Sequence, residues 1–179
     1  MPRHDVTRPQ NIEAILALLP RERRQVVLID GGSGSGKTTL APVVAAAIPD
    51  AQLLRLDDLY PGWDGLEEGS RMVHERVLAA SEPGWFRWDW ENDRTAEWHT
   101  VDPSRSLVIE GSGSLSRNNR ALATLGVWVE LDEPTRKRRA LERDGDAYAP
   151  HWDRWAAQEA AFLERERPQL LADLVIDER

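Results

Sequence analysis

Cysteine is absent from the chain, which excludes disulfides and thiolate metal sites. The four histidines, His4, His74, His99 and His151, are scattered and show no zinc-ligand spacing. No apolar run approaches the roughly 18 residues needed to span a bilayer, and the N-terminus lacks a signal-peptide core. A cytoplasmic protein with no membrane partner is therefore expected. Positive charge is in deficit: the formal net charge is −8, a field that disfavours non-specific nucleic-acid binding. Lysine is nearly missing. Only Lys37 and Lys137 occur, so a lysine inside a motif carries weight, because a compact ammonium does not substitute for a planar guanidinium.

What is present suits one domain over residues 1–179, with 41% hydrophobic and 30% charged residues and no internal repeat. Residues 10–19 carry apolar side chains at helical spacing up to Pro20. Short apolar runs at 25–30, 51–57, 106–110, 126–131 and 172–177 read as buried strands. Helical stretches fall between them, at 37–47, 70–80, about 116–124, after Pro134, and from about Pro150 to Arg167. Pro42 is expected near the first turn of its helix, where proline is tolerated. Strands alternating with helices imply an α/β fold, a mostly parallel five-stranded sheet with helices on both faces. Residues 84–100, with near-alternating aromatics, interrupt this order and suggest a hairpin or flap.

Residues 31–39, GGSGSGKTT, match the phosphate-binding pattern Gly31-x-x-x-x-Gly36-Lys37-Thr38, directly after a strand and before a helix. Glycines at Gly31, Gly32, Gly34 and Gly36, with Ser33 and Ser35 between them, let backbone amides approach phosphate oxygens unobstructed. The helix N-terminus at Lys37, Thr38 and Thr39 adds unpaired amides and partial positive charge. Lys37 can reach the β- and γ-phosphates, and the Thr38 hydroxyl suits Mg²⁺. ATP with Mg²⁺ is the expected ligand pair.

Phosphoryl transfer also needs an acid near the acceptor, an acceptor pocket and cations over the transferred group. Asp57 and Asp58 follow the second strand, where open α/β sheets bind ligands; either could accept a hydroxyl proton or share the metal. Glu110 ends a buried strand and suits Mg²⁺ or its water shell. At helical spacing Arg136, Arg139 and Arg143 share one face, which is either a solvated helix surface or a lid (about 136–150) that neutralises charge during transfer. Trp85, Phe86, Trp88 and Trp90, interleaved with Asp89 and Arg94, either stack on a planar acceptor or form a satellite core. Trp128, Trp152 and Trp155 are expected to be structural.

This set of segments resembles the uridine kinase (uridine–cytidine kinase) family of P-loop kinases, as a divergent member. GGSGSGKTT is similar to that family's phosphate loop, and Asp57-Asp58-Leu59-Tyr60 to its Asp-Ser-Phe-Tyr segment. The resemblance makes Asp57 the catalytic base, with Tyr60 near the nucleoside. It likens Trp88, Asp89 and Arg94 to acceptor-pocket residues, Glu110-Gly111 to the acid beside metal and base, and Thr135–Asp144 to the arginine lid. Arg139 would then act in catalysis with Lys37, and Arg136 and Arg143 would bind ATP. Two departures stand out: Asn92 and Asp93 replace the family's pocket histidine, and Ser112-Gly113-Ser114-Leu115 replaces its Ile-Leu. The resemblance implies an ATP-dependent three-layer P-loop kinase acting on a hydroxyl of a nucleoside-like small molecule. A nucleoside monophosphate, sugar or vitamin precursor as acceptor, or a regulatory ATP-binding module without transfer, are the alternatives. For a monophosphate, Arg55, Arg71, Arg87 and Arg94 could supply cations.

Overall fold

The computed structural model describes residues 5–20 and 23–177, so His4 lies outside the described residues. Its strands are β1 (Val26–Asp30), β2 (Gln52–Arg55), β3 (Gly84–Asp89), β4 (Arg94–Thr100), β5 (Leu107–Glu110), β6 (Leu125–Glu130) and β7 (Leu174–Asp177). The helices are α1 (Pro9–Ala17), α2 (Lys37–Ala47), α3 (Leu66–Met72), α4 (Arg117–Leu122), α5 (Glu133–Asp144), α6 (Trp152–Glu166) and α7 (Pro168–Leu171). Five strands form one sheet in the order β2-β5-β1-β6-β7. Every neighbouring pair is parallel. Strands β3 and β4 form a separate antiparallel hairpin, as the aromatic pattern suggested. No helix among the described residues is long and apolar enough to cross a membrane.

Burial on both faces explains why the strands read as continuous apolar runs. Every residue of β1 is buried. Val26 and Leu28 pack into one core with Leu54, Ile109, Leu66 of α3, and Trp155 and Phe162 of α6. Val27 and Ile29, on the alternate face, join Ile15 of α1, Leu40 and Val44 of α2, and Val127. The strand period of two thus splits one sequence run between two cores, which makes three layers.

Local departures from the expected elements have physical causes. Strand β2 stops at Arg55, and Leu56–Asp58 tighten into a 3-10 turn that aims the Asp pair at the sheet's open end. The helix expected over 70–80 starts at Leu66 and gives way to a π-helical turn over Val73–Val77. The helix continues through Gly69, where a Cβ would meet the Tyr60 ring at 2.5 Å. Pro42 sits within α2, beyond its first turn, so the Thr38 carbonyl lacks its usual i+4 amide partner.

Strand order reverses at β1, with β5 and β2 on one side and β6 and β7 on the other. The carboxyl ends of β1, β5 and β2 therefore open onto one crevice, the place where such sheets bind ligands. The sheet depends on Leu28, which is 0% exposed at its centre. Leu28→Ala is expected to lower unfolding free energy by about 2–5 kcal/mol. Urea denaturation followed by circular dichroism measures this; a loss under about 1 kcal/mol would contradict the central packing of β1.

Candidate functional site

The glycine loop leaves β1 at Asp30 and enters α2 at Lys37, with Gly36 as the helix N-cap. Gly34 (φ +82°) and Gly36 (φ +106°) occupy left-handed backbone that side-chain-bearing residues rarely adopt. A Cβ on Gly34 would also overlap the Arg136 carbonyl, and one on Gly36 would sit 3.0 Å from Val6 Cγ1. The loop is held from behind. Asp30 is 2% exposed, and its carboxylate accepts hydrogen bonds from the amides of Gly31 (2.7 Å), Gly113 (3.2 Å) and Leu115 (2.8 Å). Burial pushes this carboxyl up to about 7, against the pull of those amides and of Lys37.

Lys37 lies along the loop and donates from Nζ to the Gly32 carbonyl at 3.3 Å. Thr38 Oγ1 donates to Glu110 Oε2 at 3.4 Å, and Arg55 Nε stands 3.3 Å from Glu110 Oε1. Glu110 is 2% exposed; burial raises its carboxyl, and Lys37 opposes the rise. The Ser35 hydroxyl is buried with no hydrogen-bond partner among the described residues.

Beyond the loop lies a cavity of about 640 Å³. Ser33, Lys37 and Thr38 of the loop, Asp57 and Asp58, and the aromatic residues Trp63, Trp90, Tyr148 and Trp155 line it; Trp155 and the Ser33 amide meet at the same Glu159 oxygen, so the aromatic lining begins beside the loop. Burial and the neighbouring Asp57 raise the Asp58 carboxyl. Trp63 stacks on His151 (centroids 4.2 Å apart) and Tyr148 (5.4 Å), and Trp90 Nε1 donates to the Asp57 carbonyl at 2.8 Å. A smaller recess of about 210 Å³ runs over Gly34, Gly36 and Thr39 beneath Arg139 and Arg143.

Most of the residues singled out from sequence converge here. Ser33, Lys37, Thr38, Asp57 and Arg143 line the cavity, and Gly34, Gly36, Thr39 and Arg139 the recess, which shares Lys37, Thr38 and Arg143 with it; Glu110 is buried behind Thr38 and lines neither. Arg136 takes a different place. Its guanidinium donates to the carbonyls of Ser33 (3.2 Å) and Leu131 (3.1 Å) and pairs with Glu159 (3.3 Å), so it braces the loop from outside rather than facing the cavity. Tyr60 borders the cavity but is 2% exposed, with its hydroxyl donating to the Ser112 carbonyl at 2.7 Å and its ring edge-on to Trp155.

The hairpin residues depart most. Trp88 lines a separate groove with Trp85 and Phe86 against α3. Asp89 caps the hairpin turn by accepting from the Glu91 and Asn92 amides and the Asn92 side chain. The Arg94 side chain is 72% exposed, 3.9 Å from Asp89. Trp88, Asp89 and Arg94 thus stand outside the cavity; of the hairpin, Trp90 reaches it. Trp155, expected to be structural, belongs to the cavity wall. The tertiary fold also reveals Glu159, a buried acid on α6. Its signal was an acid in the helix's apolar stripe of Trp152, Trp155 and Phe162.

Strand order, loop position and the crevice at the reversal agree with one architecture. The chain has the P-loop NTPase fold. It superposes on a uridine kinase candidate from Bacillus stearothermophilus with a TM-score of 0.63 at 23% identity, over 93% of this chain and 95% of that one. A fructose transport system kinase candidate from Silicibacter sp. TM1040 aligns with a TM-score of 0.60 at 22% identity, over 92% and 96%. A protein from Albidiferax ferrireducens, named as a nucleotide-binding protein, is 30% identical over 152 residues. That match takes in 84% of this chain but 45% of the relative. No protein-family model matches the chain.

Gly34 tests the loop geometry. Gly34→Ala combines a strained φ with the clash at Arg136, and is expected to destabilise the protein by at least about 1–2 kcal/mol. Thermal unfolding beside Gly145→Ala, where nothing lies within 4 Å of an added Cβ, separates the clash from strain alone. Equal losses for the two would remove the Arg136 contact from the argument.

Proposed function

We propose that this protein is a divergent uridine kinase-like phosphotransferase, moving the γ-phosphoryl group of ATP to a hydroxyl of a small, uncharged, nucleoside-like acceptor. One observation carries the reading: Lys37 and Thr38 of the phosphate loop share a single cavity with Asp57 and with the aromatic residues Trp63, Trp90, Tyr148 and Trp155. Donor and acceptor can then meet within one open cleft, which brings the reacting groups together as transfer requires.

In this reading the amides at the start of α2 and Lys37 hold the triphosphate. Asp57 accepts the proton of the acceptor hydroxyl as the new P–O bond forms. Arg139 and Arg143 offset the charge on the transferring group. The hydroxyl of Thr38 and the carboxylates of Glu110 and Asp57 are hard oxygen donors, a set that fits Mg²⁺ riding with a nucleotide's phosphates. Bound there, Mg²⁺ would neutralise phosphate charge, held by Thr38 and Glu110. Trp63, Trp90, Tyr148 and Trp155 offer ring surface for a planar acceptor.

A monophosphate acceptor fits less well. Arg55 pairs with Glu110, Arg71 with Glu68 and Glu75, Arg87 with Glu97, and Arg94 lies by Asp89. None of these four arginines lines the cavity, whose acceptor side carries Asp57 and Asp58. An anionic acceptor would meet like charge there.

Asp57→Asn is expected to lower phosphoryl transfer at saturating ATP–Mg²⁺ by about 10²- to 10⁴-fold, a far larger loss than any weakening of ATP–Mg²⁺ binding by calorimetry. Transfer at the parent rate would reject Asp57 as the base. Lys37→Ala should lose measurable ATP–Mg²⁺ binding in the same assay.

Acceptor class is read from ADP release with nucleosides, nucleoside monophosphates and sugars. Nucleosides should stimulate release above background and their monophosphates should not. Stimulation by none would favour a regulatory ATP-binding module that transfers no phosphate.

A further inference from the structure

Glu159 has no part in the transfer chemistry, yet it is 6% exposed on the apolar stripe of α6. A buried carboxylate is costly unless paired and hydrogen-bonded. Here it is saturated from four segments of the chain. Its Oε1 accepts from the Ser33 amide (2.7 Å), the Ser112 hydroxyl (2.8 Å) and Trp155 Nε1 (3.0 Å), while its Oε2 accepts from Arg136 (3.3 Å).

The Ser33 contact matters most. The Ser33 N–H and the Gly32 C=O belong to one planar peptide unit, so fixing one end orients the other. The opposite end, the Gly32 carbonyl, is the seat of Lys37 Nζ. The next carbonyl, that of Ser33, accepts from the same Arg136 that pairs with Glu159. One carboxylate therefore sets the plane of the peptide that seats the loop lysine, and also anchors the arginine braced against the loop. Ser112, which stands in the Ser112–Leu115 segment, is placed between Glu159 and the Gly31 carbonyl at 3.1 Å.

We propose that Glu159 is a positioning residue for the phosphate-binding loop, holding the Gly32–Ser33 peptide in the orientation that presents Lys37 to a triphosphate. Through Trp155, whose ring borders the cavity, the same carboxylate ties that loop to the cavity's aromatic wall. The inference rests on the nucleotide-binding reading for its affinity arm alone; the loop geometry is tested separately.

Glu159→Ala, Glu159→Gln and the volume-conserving Glu159→Met are compared with the parent by two measurements. In amide hydrogen exchange, Ala and Met should speed exchange over residues 31–37 while β6 amides keep the parent rate. Gln should restore slow exchange, because its amide oxygen can still accept from the Ser33 N–H. In calorimetry with ATP–Mg²⁺, Ala and Met should weaken binding about tenfold, the loss of one buried charge-assisted hydrogen bond, with Gln recovering most of it. Loop exchange at the parent rate in Ala and Met would overturn the inference, as would Gln behaving like Ala. A parent that binds no ATP–Mg²⁺ would overturn the nucleotide reading, and the exchange comparison would still decide the role of Glu159. If Ala does not fold, Met and Gln decide both measurements.

Discussion

A glycine-rich loop at the end of a buried strand has no side chains with which to hold itself in place, and its amides must be kept in one arrangement. Everything else at this crevice follows from how that is done. Asp30 takes three amides at the base of the loop, Glu159 takes the amide of Ser33, and Arg136 takes the Ser33 carbonyl. The outer face of the loop is thus filled by charged groups paired with one another or with backbone. The inner face, with Lys37 and Thr38, is left open to the cavity. Local polar satisfaction on one side produces a preorganised cradle on the other.

The parallel sheet supplies the rest of the geometry. Because β1 lies at the strand-order reversal, the segments after β1, β5 and β2 converge without long loops, bringing Thr38, Glu110 and Asp57 together. Helix α5 then crosses outside the loop with one face of arginines. Arg136 is consumed in bracing, and Arg139 and Arg143 overhang the recess. The polar segment Ser112-Gly113-Ser114-Leu115 fits this scheme, since Ser112 meets Glu159 and Gly31, and Ser114 donates to the Ile29 carbonyl at 3.1 Å.

The five strands, α2, the phosphate loop and the arginine face of α5 were all legible in the chain, because each is a local pattern: an apolar run, a glycine spacing, a helical period. Element ends were less so. Helix α3 begins at Leu66 and runs through Gly69, where the Tyr60 ring leaves no room for a side chain. The hairpin was foreseen as a unit, but not its division of labour, in which Trp85 and Trp88 turn toward α3 and Trp90 toward Asp57. That division depends on a register shift between Phe86 and Trp88, which alternation alone does not reveal.

The sequence by itself determined what the loop can hold, since glycine spacing, one lysine and one threonine are chemical necessities of a phosphate cradle. It also determined the layered α/β fold, since runs buried on both faces must be covered on both faces. Only the tertiary structure decided which rings line the cavity and who holds the loop. Trp63, Tyr148, Trp155 and Glu159 lie far from the loop in the chain: the packing of α6 brings Trp155 and Glu159 to it, and Trp63 and Tyr148 join them through ring contacts. In the chain, Glu159 is one acid among many. Folded, it is the buried acceptor that the Ser33 amide and Arg136 share.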